Sequence, residues 1–208
     1  MHNDTLKSTE HTVAGAVLAG GRASRYGGTA KGLLECAAGV SIIEKLIGEM
    51  TSAGINEIVI LANDPEPYRF CRREIVPDLT SGIGPLGGIE AGLAHYAEWR
   101  DAVVFLPCDL PGITACEISV LKAAFCASDA GIVVAESADS FWQPLCTVVR
   151  TALLSDISKA IEKGERRVQQ VWKDLGASAV RFDDPAAFFN VNTPDDMRRW
   201  QARDRGAT

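Results

Sequence analysis

Short apolar runs alternate with stretches of helical periodicity along most of the chain. Val13–Leu18 (VAGAVL) is apolar throughout and breaks at Gly20-Gly21, as a strand buried on both faces does where it ends in a loop. In SIIEKLIGEM, residues 41–50, the apolar side chains Ile42, Ile43, Leu46, Ile47 and Met50 recur at helical spacing, and EIVILA, residues 57–62, reads as the next strand. Strand, helix and strand in that order imply a parallel crossover. The alternation continues with a short strand over 74–76, a helix over 86–99, strands over 102–106, 131–136 and 144–149, and a helix over 118–125 between the first two of these. TALLSDISKAIEKG reads as a helix that stops at Gly164. Thr193-Pro194 then reads as a helix start, with threonine as N-cap, proline in the first turn, and Asp195 and Asp196 beside the positive helix end. This order predicts an α/β fold, a three-layer α/β/α sandwich around a mainly parallel sheet. Repeats, low-complexity segments and linkers are absent from the sequence.

Composition narrows the function classes. The 208 residues, 47% hydrophobic and 23% charged, suit one domain, expected over residues 13–208 behind a polar, flexible tail at 1–12. A net charge of -6 leaves no broad basic surface for a phosphodiester backbone, so nucleic acid is not an expected partner. With no apolar run near the roughly 20 residues that span a bilayer, and a polar start, neither membrane nor secretion is expected and the cytoplasm is. Six cysteines, scattered singly, read as reduced and mostly buried. The three histidines, two of them in the tail region and His95 in an expected helix, argue against histidine catalysis and a histidine-rich metal site.

In open α/β sheets ligands bind beyond the carboxyl ends of the strands, so the loops there hold the candidate chemistry. The loop after the first strand, residues 18–32 (LAGGRASRYGGTAKG), is rich in glycine and carries Arg22, Arg25 and Lys31. Glycines let backbone N–H groups approach phosphate oxygens and the cations supply charge, which describes an anion cradle; a surface loop with solvated charges fits the same residues. It is neither a Walker A loop nor the dinucleotide fingerprint. Residues 82–87 (GIGPLG) match G-x-G-x-x-G by letter, but they follow a polar stretch and contain Pro85, so they read as a glycine loop leading into a helix, with Asp78 just ahead. Asp109, at the end of AVVFLPCD, stands where a magnesium ion can be held by one carboxylate together with substrate phosphates, or where a turn before Pro111 takes an aspartate. Asn190 and Asn192, in FFNVNTPDD, can reach the same cleft or satisfy buried backbone groups. The charges at 165–167 (ERR) can meet an anionic acceptor or lie solvated.

LAGGRASRYGG with Lys31, PDLTSGIGPLGG, PCDLP, QPL, GERR and FFNVNTPDD occur in one order over nearly the whole chain, and in these the sequence resembles the molybdenum cofactor guanylyltransferases. The first loop and PCD mark nucleotidyltransferases at large; QPL, GERR and NVNTP narrow the resemblance to the guanylyltransferase branch. It implies a Rossmann-like nucleotidyltransferase fold and transfer of GMP from GTP to the terminal phosphate of molybdopterin bearing molybdenum, with Mg²⁺ as cofactor and release of pyrophosphate. Leu18, Ala19, Gly20 and Gly21 then contact the nucleotide through the backbone, Lys31 contacts its phosphates, and Asn63 and Asp78 lie near the guanosine. Asp109 is the implied metal ligand. Arg22, Ser24 and Arg25 fall in the phosphate loop, and Arg25 joins Lys31 and Asp109 as an implied catalytic residue. GTP and the molybdopterin cofactor are the implied partners, with transient contact to molybdoenzymes or their chaperones allowed. Two positions depart from the family pattern: Tyr26 stands where methionine is frequent, and Ala30 where an acidic residue is common. The stretch CAAGVSI after Glu35 also departs from the usual turn. Rival readings are a CTP-using or sugar-phosphate transferase of the same fold and a carrier that binds the cofactor without catalysis.

Overall fold

In a computed structural model, which describes residues 11–20, 30–37 and 39–204, the apolar run at the start of the chain is the middle of a seven-stranded sheet. β1 is Val13–Leu18, β4 Ile58–Leu61, β5 Ile75–Val76, β6 Ala102–Pro107, β7 Ile132–Glu136, β8 Trp142–Arg150 and β9 Ser178–Arg181; β2 (Glu35–Ala37) and β3 (Val40–Ser41) form a separate small hairpin. The strand order is β5-β4-β1-β6-β8-β7-β9. β5, β4, β1 and β6 run parallel, β9 runs parallel to β7, and β8 opposes both its neighbours, so the sheet is mainly parallel, as expected, with β8 reversed.

The period-two alternation of a strand places successive side chains on opposite faces, and here both faces are covered. Val17, Ile58, Ile60, Val104, Leu106 and Val148 point into one core layer, shared with α1 (Ile42–Ser52), α3 (Ala115–Cys126) and Met197 of α6 (Pro194–Asp204). Ala16, Leu18, Val59, Leu61, Val103 and Phe105 point into the other, shared with α2 (Pro85–Tyr96), α4 (Leu154–Glu162) and α5 (Val168–Asp174). The result is the three-layer arrangement expected from the sequence.

Local chemistry sets the helix starts. Ser41 with Glu44, and Thr114 with Glu117, form capping boxes, so α3 begins ahead of the apolar residue Ile118 from which its start was expected. α2 starts at Pro85 behind Gly84, whose φ of 74° suits glycine, and it ends at Tyr96 instead of reaching Trp99. The first turn of the segment that leads into α4, Thr151–Leu153, is a 3-10 turn. The β2–β3 hairpin, α5 and β9 carry no periodicity long enough to announce them in the sequence. Of the six cysteines only Cys36, Cys108 and Cys146 are buried, and Cys116 and Cys126 are exposed, because the ends of α3 face outward; the expectation that most are buried is corrected. Thr12, assigned to the tail by its sequence, is held by Asp101, whose Oδ2 accepts from the Thr12 N–H at 2.7 Å and from its hydroxyl at 2.9 Å. Residues 1–10 of the expected tail lie outside the described residues.

Candidate active site

The chain leaves β1 through α1 for β4 and β5 on one side, then returns through α2 to β6 on the other. That reversal opens a crevice beyond the carboxyl ends of β1 and β6, where an open α/β sheet binds its ligand. Leu18, Ala19 and Gly20 leave β1 there, and Asp109 lies two residues beyond the end of β6. The ladder runs past the strand ends: the Cys108 N–H donates to Leu18 O at 3.1 Å and the Ala19 N–H to Leu61 O at 3.0 Å. The Ala19 amide is thus committed to the sheet, and Gly20, which is exposed, is the first residue after β1 whose N–H no described residue accepts. The Ala19 carbonyl is fixed from below by Tyr68, a buried ring whose hydroxyl donates to it at 3.1 Å. Burial pushes the Tyr68 hydroxyl above its ordinary range, with Cys108 nearby adding to the effect, so it stays a donor.

Lys31 opens a 3-10 turn, Lys31–Leu33, which seats on the same ring. A Cβ on the buried Gly32 would lie 3.2 Å from Tyr68 Cε1 and 3.5 Å from Cys108 Cβ, so the turn sits against Tyr68 and the end of β6. From there Lys31 Nζ donates to Asn192 Oδ1 at 2.6 Å and meets Asp109 Oδ2 at 3.4 Å. Three distant parts of the chain converge on one ammonium group.

Asn192 reaches this point because the segment before α6 docks on the loop after β6. The Val191 N–H donates to Asp109 O at 2.8 Å. Gly112 makes the approach close: a Cβ there would stand 2.2 Å from Ala186 O, a backbone atom that cannot step aside. Asp196 then holds Asn192 in place, its Oδ2 accepting from the N–H groups of Asn192 at 3.1 Å and Thr193 at 2.8 Å. The Thr193 hydroxyl, followed by those amides, keeps the Asp196 carboxyl below its usual range. Asn190 turns back instead, donating to Phe188 O at 3.4 Å, and belongs to the backbone-satisfying class.

On the other flank, Asn63 and Asp78 pair reciprocally: Asn63 Nδ2 donates to Asp78 Oδ2 at 2.8 Å, and the Asp78 N–H to Asn63 Oδ1 at 2.9 Å. The start of α2 presses on this loop through two glycines. A Cβ on Gly87 would meet Thr80 O at 2.6 Å, and one on Gly88 would meet Leu18 Cδ2 at 2.9 Å and Asp78 Oδ1 at 3.5 Å. Of the G-x-G-x-x-G look-alike, Gly82 and Gly84 therefore serve the turn and Gly87 packs on the Asp78 loop, while the contact with the end of β1 belongs to Gly88 just beyond it.

The structure brings Lys31 and Asp109 together and adds Asn192 to them, and pairs Asn63 with Asp78 beside Leu18. Gly21, Arg22, Ser24 and Arg25 lie outside the described residues. Glu165, Arg166 and Arg167 are bonded among themselves: Glu165 accepts from the Arg167 side chain at 3.1 Å and from both following N–H groups at 2.9 Å, and Arg167 with those amides holds its carboxyl down to about 2. No bond joins them to Lys31, Asp109 or Asn192. Tyr68 and Gly112 are the functional supports that sequence reasoning missed; each acts through a partner far along the chain.

Among the described residues no group of three or more histidine, cysteine or acidic side chains could cage a metal. Asp109 is a partly exposed carboxylate, 24% accessible, anchored through its own backbone and bonded by Lys31 alone among described side chains. That suits an ion held by one carboxylate together with phosphate and water oxygens. Next to it, Cys108 is no competitor: burial, then the charge of Asp109, pushes its thiol up to about 12.

Among described residues no helix is long and apolar enough to cross a membrane. The chain is similar to curated proteins called molybdenum cofactor guanylyltransferase: one from Vibrio campbellii is 36% identical over 189 residues, covering 88% of this chain and 92% of the relative. Another, from Photobacterium profundum, is 33% identical over 198 residues, covering 94% and 98%. A solved structure described as molybdopterin-guanine dinucleotide biosynthesis protein A from Archaeoglobus fulgidus shares the fold with a TM-score of 0.76 at 22% identity, over 93% of this chain and 99% of that one. Residues 15–179 match the family model described as the MobA-like NTP transferase domain, and the chain belongs to that family of nucleotidyltransferases.

Proposed function

We propose that this nucleotidyltransferase moves the guanylyl group of GTP to the terminal phosphate of molybdopterin bearing molybdenum, giving the guanine dinucleotide form of the cofactor and pyrophosphate. The observation that carries the reading is the meeting of Lys31, Asp109 and Asn192 from three separate loops at the reversal of the sheet. The names of the curated relatives support guanine and molybdopterin as the substrates.

An oxygen of the acceptor phosphate attacks the α-phosphorus of GTP in line. The bond from that phosphorus to the oxygen bridging to the β-phosphate breaks, and pyrophosphate leaves with the electron pair. The attacking oxygen is already anionic, so no strong general base is required. Lys31 supplies positive charge where negative charge gathers on the phosphates, which is where enzymes of this class gain most. Its Nζ lies closer to the neutral Asn192 oxygen than to Asp109, so much of its charge is left for a phosphate. Asn63 and Asp78 offer amide and carboxylate groups at the nucleotide flank. Asp109 would hold the magnesium ion, which when bound supplies Lewis-acid neutralisation of phosphate oxygens.

Pyrophosphate release by the purified protein with Mg²⁺ and molybdopterin cofactor, compared among GTP, CTP and ATP, tests the proposal. Release that needs both GTP and the acceptor is the expected result. Release with CTP would move the chain to a cytidylyl reaction, and nucleotide binding without pyrophosphate would make it a carrier.

A further inference from the structure

Glu90 is a charged residue buried in the middle of α2, 7% exposed, in the layer otherwise filled by Leu86, Ile89 and Leu93. No lysine, arginine or histidine among the described residues pairs with it. Burying a carboxylate without a cation is costly, and an apolar side chain would fill the space. Its two oxygens instead take hydroxyl donors from two different elements: Thr80 Oγ1 donates to Oε2 at 3.0 Å, and Ser158 Oγ to Oε1 at 2.7 Å.

Thr80 belongs to the loop that begins at Asp78. Ile83 packs into the core beside α2, and apart from the Asn63–Asp78 pair the Thr80–Glu90 bond is the side-chain hydrogen bond that ties residues 77–84 to the rest of the described protein. Ser158 lies on α4, the helix that leads through Gly164 into the charges at 165–167, with the Glu165 N–H closing the turn onto Ala160 O at 3.0 Å. Glu90 therefore stands between the loop at the nucleotide flank and the helix that carries the GERR segment.

We propose that Glu90 is a positioning residue that sets the Asp78 loop for nucleotide binding through Thr80, and that it makes this setting sensitive to α4 through Ser158. The proposal rests on Asp78 lying at the nucleotide, as in the function proposed above. The carboxylate is fixed only while both hydroxyls hold it; loss of the one on α4 frees it to turn, and the loop loses its register.

The test uses the whole protein and the dissociation constant of each of GTP, CTP and ATP with Mg²⁺ by calorimetry, alongside the melting temperature. Thr80→Val and Glu90→Leu each remove the tie to the loop and are expected to weaken nucleotide binding on the order of tenfold, about the value of one hydrogen bond to a charged group. Ser158→Ala, on a different element, is expected to weaken the same binding about threefold in the wild-type background and to have no further effect in Thr80→Val or Glu90→Leu; Glu90→Gln, which can still bond both hydroxyls, recovers most of the loss. Thr80→Val and Ser158→Ala change one small group each, so the comparison survives even if Glu90→Leu folds poorly. A Ser158→Ala protein that binds nucleotide like wild type, or one whose effect is the same in every background, overturns the proposal. Failure of the wild type to bind any of the three nucleotides would sink the nucleotidyl reading itself, a different result from binding that ignores Ser158.

Discussion

In the function proposed above the chemistry turns on Lys31 and Asp109, and both could be singled out in the sequence because each lies in a loop beyond the carboxyl end of a strand. Replacing Lys31 by methionine keeps the length of the side chain and removes the charge. It is expected to lower kcat/KM about 10²–10³-fold, the cost of removing one preorganised charge donor, with little change in melting temperature because the group is partly exposed. Asn192→Ala should cost about tenfold, since it takes one hydrogen bond from the lysine and leaves its charge. Steady-state kinetics checks both, and equal losses would mean that Asn192 touches substrate directly. The cysteines give a second prediction at this scale. Iodoacetamide at pH 8 is expected to alkylate Cys116 and Cys126 in the native protein and to leave Cys108 unmodified until unfolding, because Cys108 is buried with its thiol pushed up to about 12. Peptide mass spectrometry reads this, and early labelling of Cys108 would show that the end of β6 opens to solvent. Tyr68 and Gly112 were not legible: a tyrosine under a carbonyl 49 residues away and a glycine against Ala186 O are facts of packing, with no local pattern to mark them.

Among the elements, two glycines with opposite surroundings show what backbone approach is for. A Cβ on Gly48, in the middle of α1, meets nothing within 4 Å, so Gly48→Ala is expected to raise stability by about 0.5–1 kcal/mol through helix propensity alone. Gly112→Ala drives a methyl into Ala186 O and is expected to cost about 1–3 kcal/mol. It should lower turnover as well, because the segment it displaces carries Asn192 to Lys31. Urea titration and kinetics on the pair settle the matter, and a Gly112→Ala enzyme of normal stability would show that the 186–191 segment is not held where the structure places it. Legibility at this scale followed burial. β1 and β6 were placed almost to the residue because both faces are apolar and the flanking loops are not. β9 was missed since three of its four residues are exposed, so no apolar pattern forms. α5 has seven residues, about two helical turns, and the β2–β3 hairpin two very short strands, too little for a periodic pattern to stand out. The reversed direction of β8 is not in its apolar pattern, which is the same in both directions, but in the link from β7, residues 137–141, which is too short for a parallel crossover.

For the whole molecule, acid is the condition that should loosen several joints together. Glu44 is held below its ordinary range first by the Ser41 hydroxyl, Asp101 by the Thr12 N–H and then its hydroxyl, and Asp196 by the Thr193 hydroxyl. These bonds secure the start of α1, the approach to β1 and the start of α6. Each folded-state value is depressed from the unfolded reference, 4.5 for the glutamate and 3.8 for the aspartates, so each contribution is fully present above that reference and is lost as pH falls through the lower folded value. The urea midpoint should therefore owe no pH dependence to these groups between pH 5 and 7, about the range in which carboxylates are fully ionised, and should fall below about pH 4. Asp101→Asn removes one joint's share: its midpoint is lower than wild type at neutral pH, and the gap narrows on acidification. The sign is decisive, because a gap that widened in acid would mean that Asp101 is raised, not depressed, in the folded protein. Asp196→Asn makes the link to the site, since the same carboxylate holds the amide of Asn192. It should weaken the Lys31 environment at neutral pH as well as the start of α6, and a variant that lost stability while keeping full kcat/KM would show that Asn192 keeps its place without Asp196.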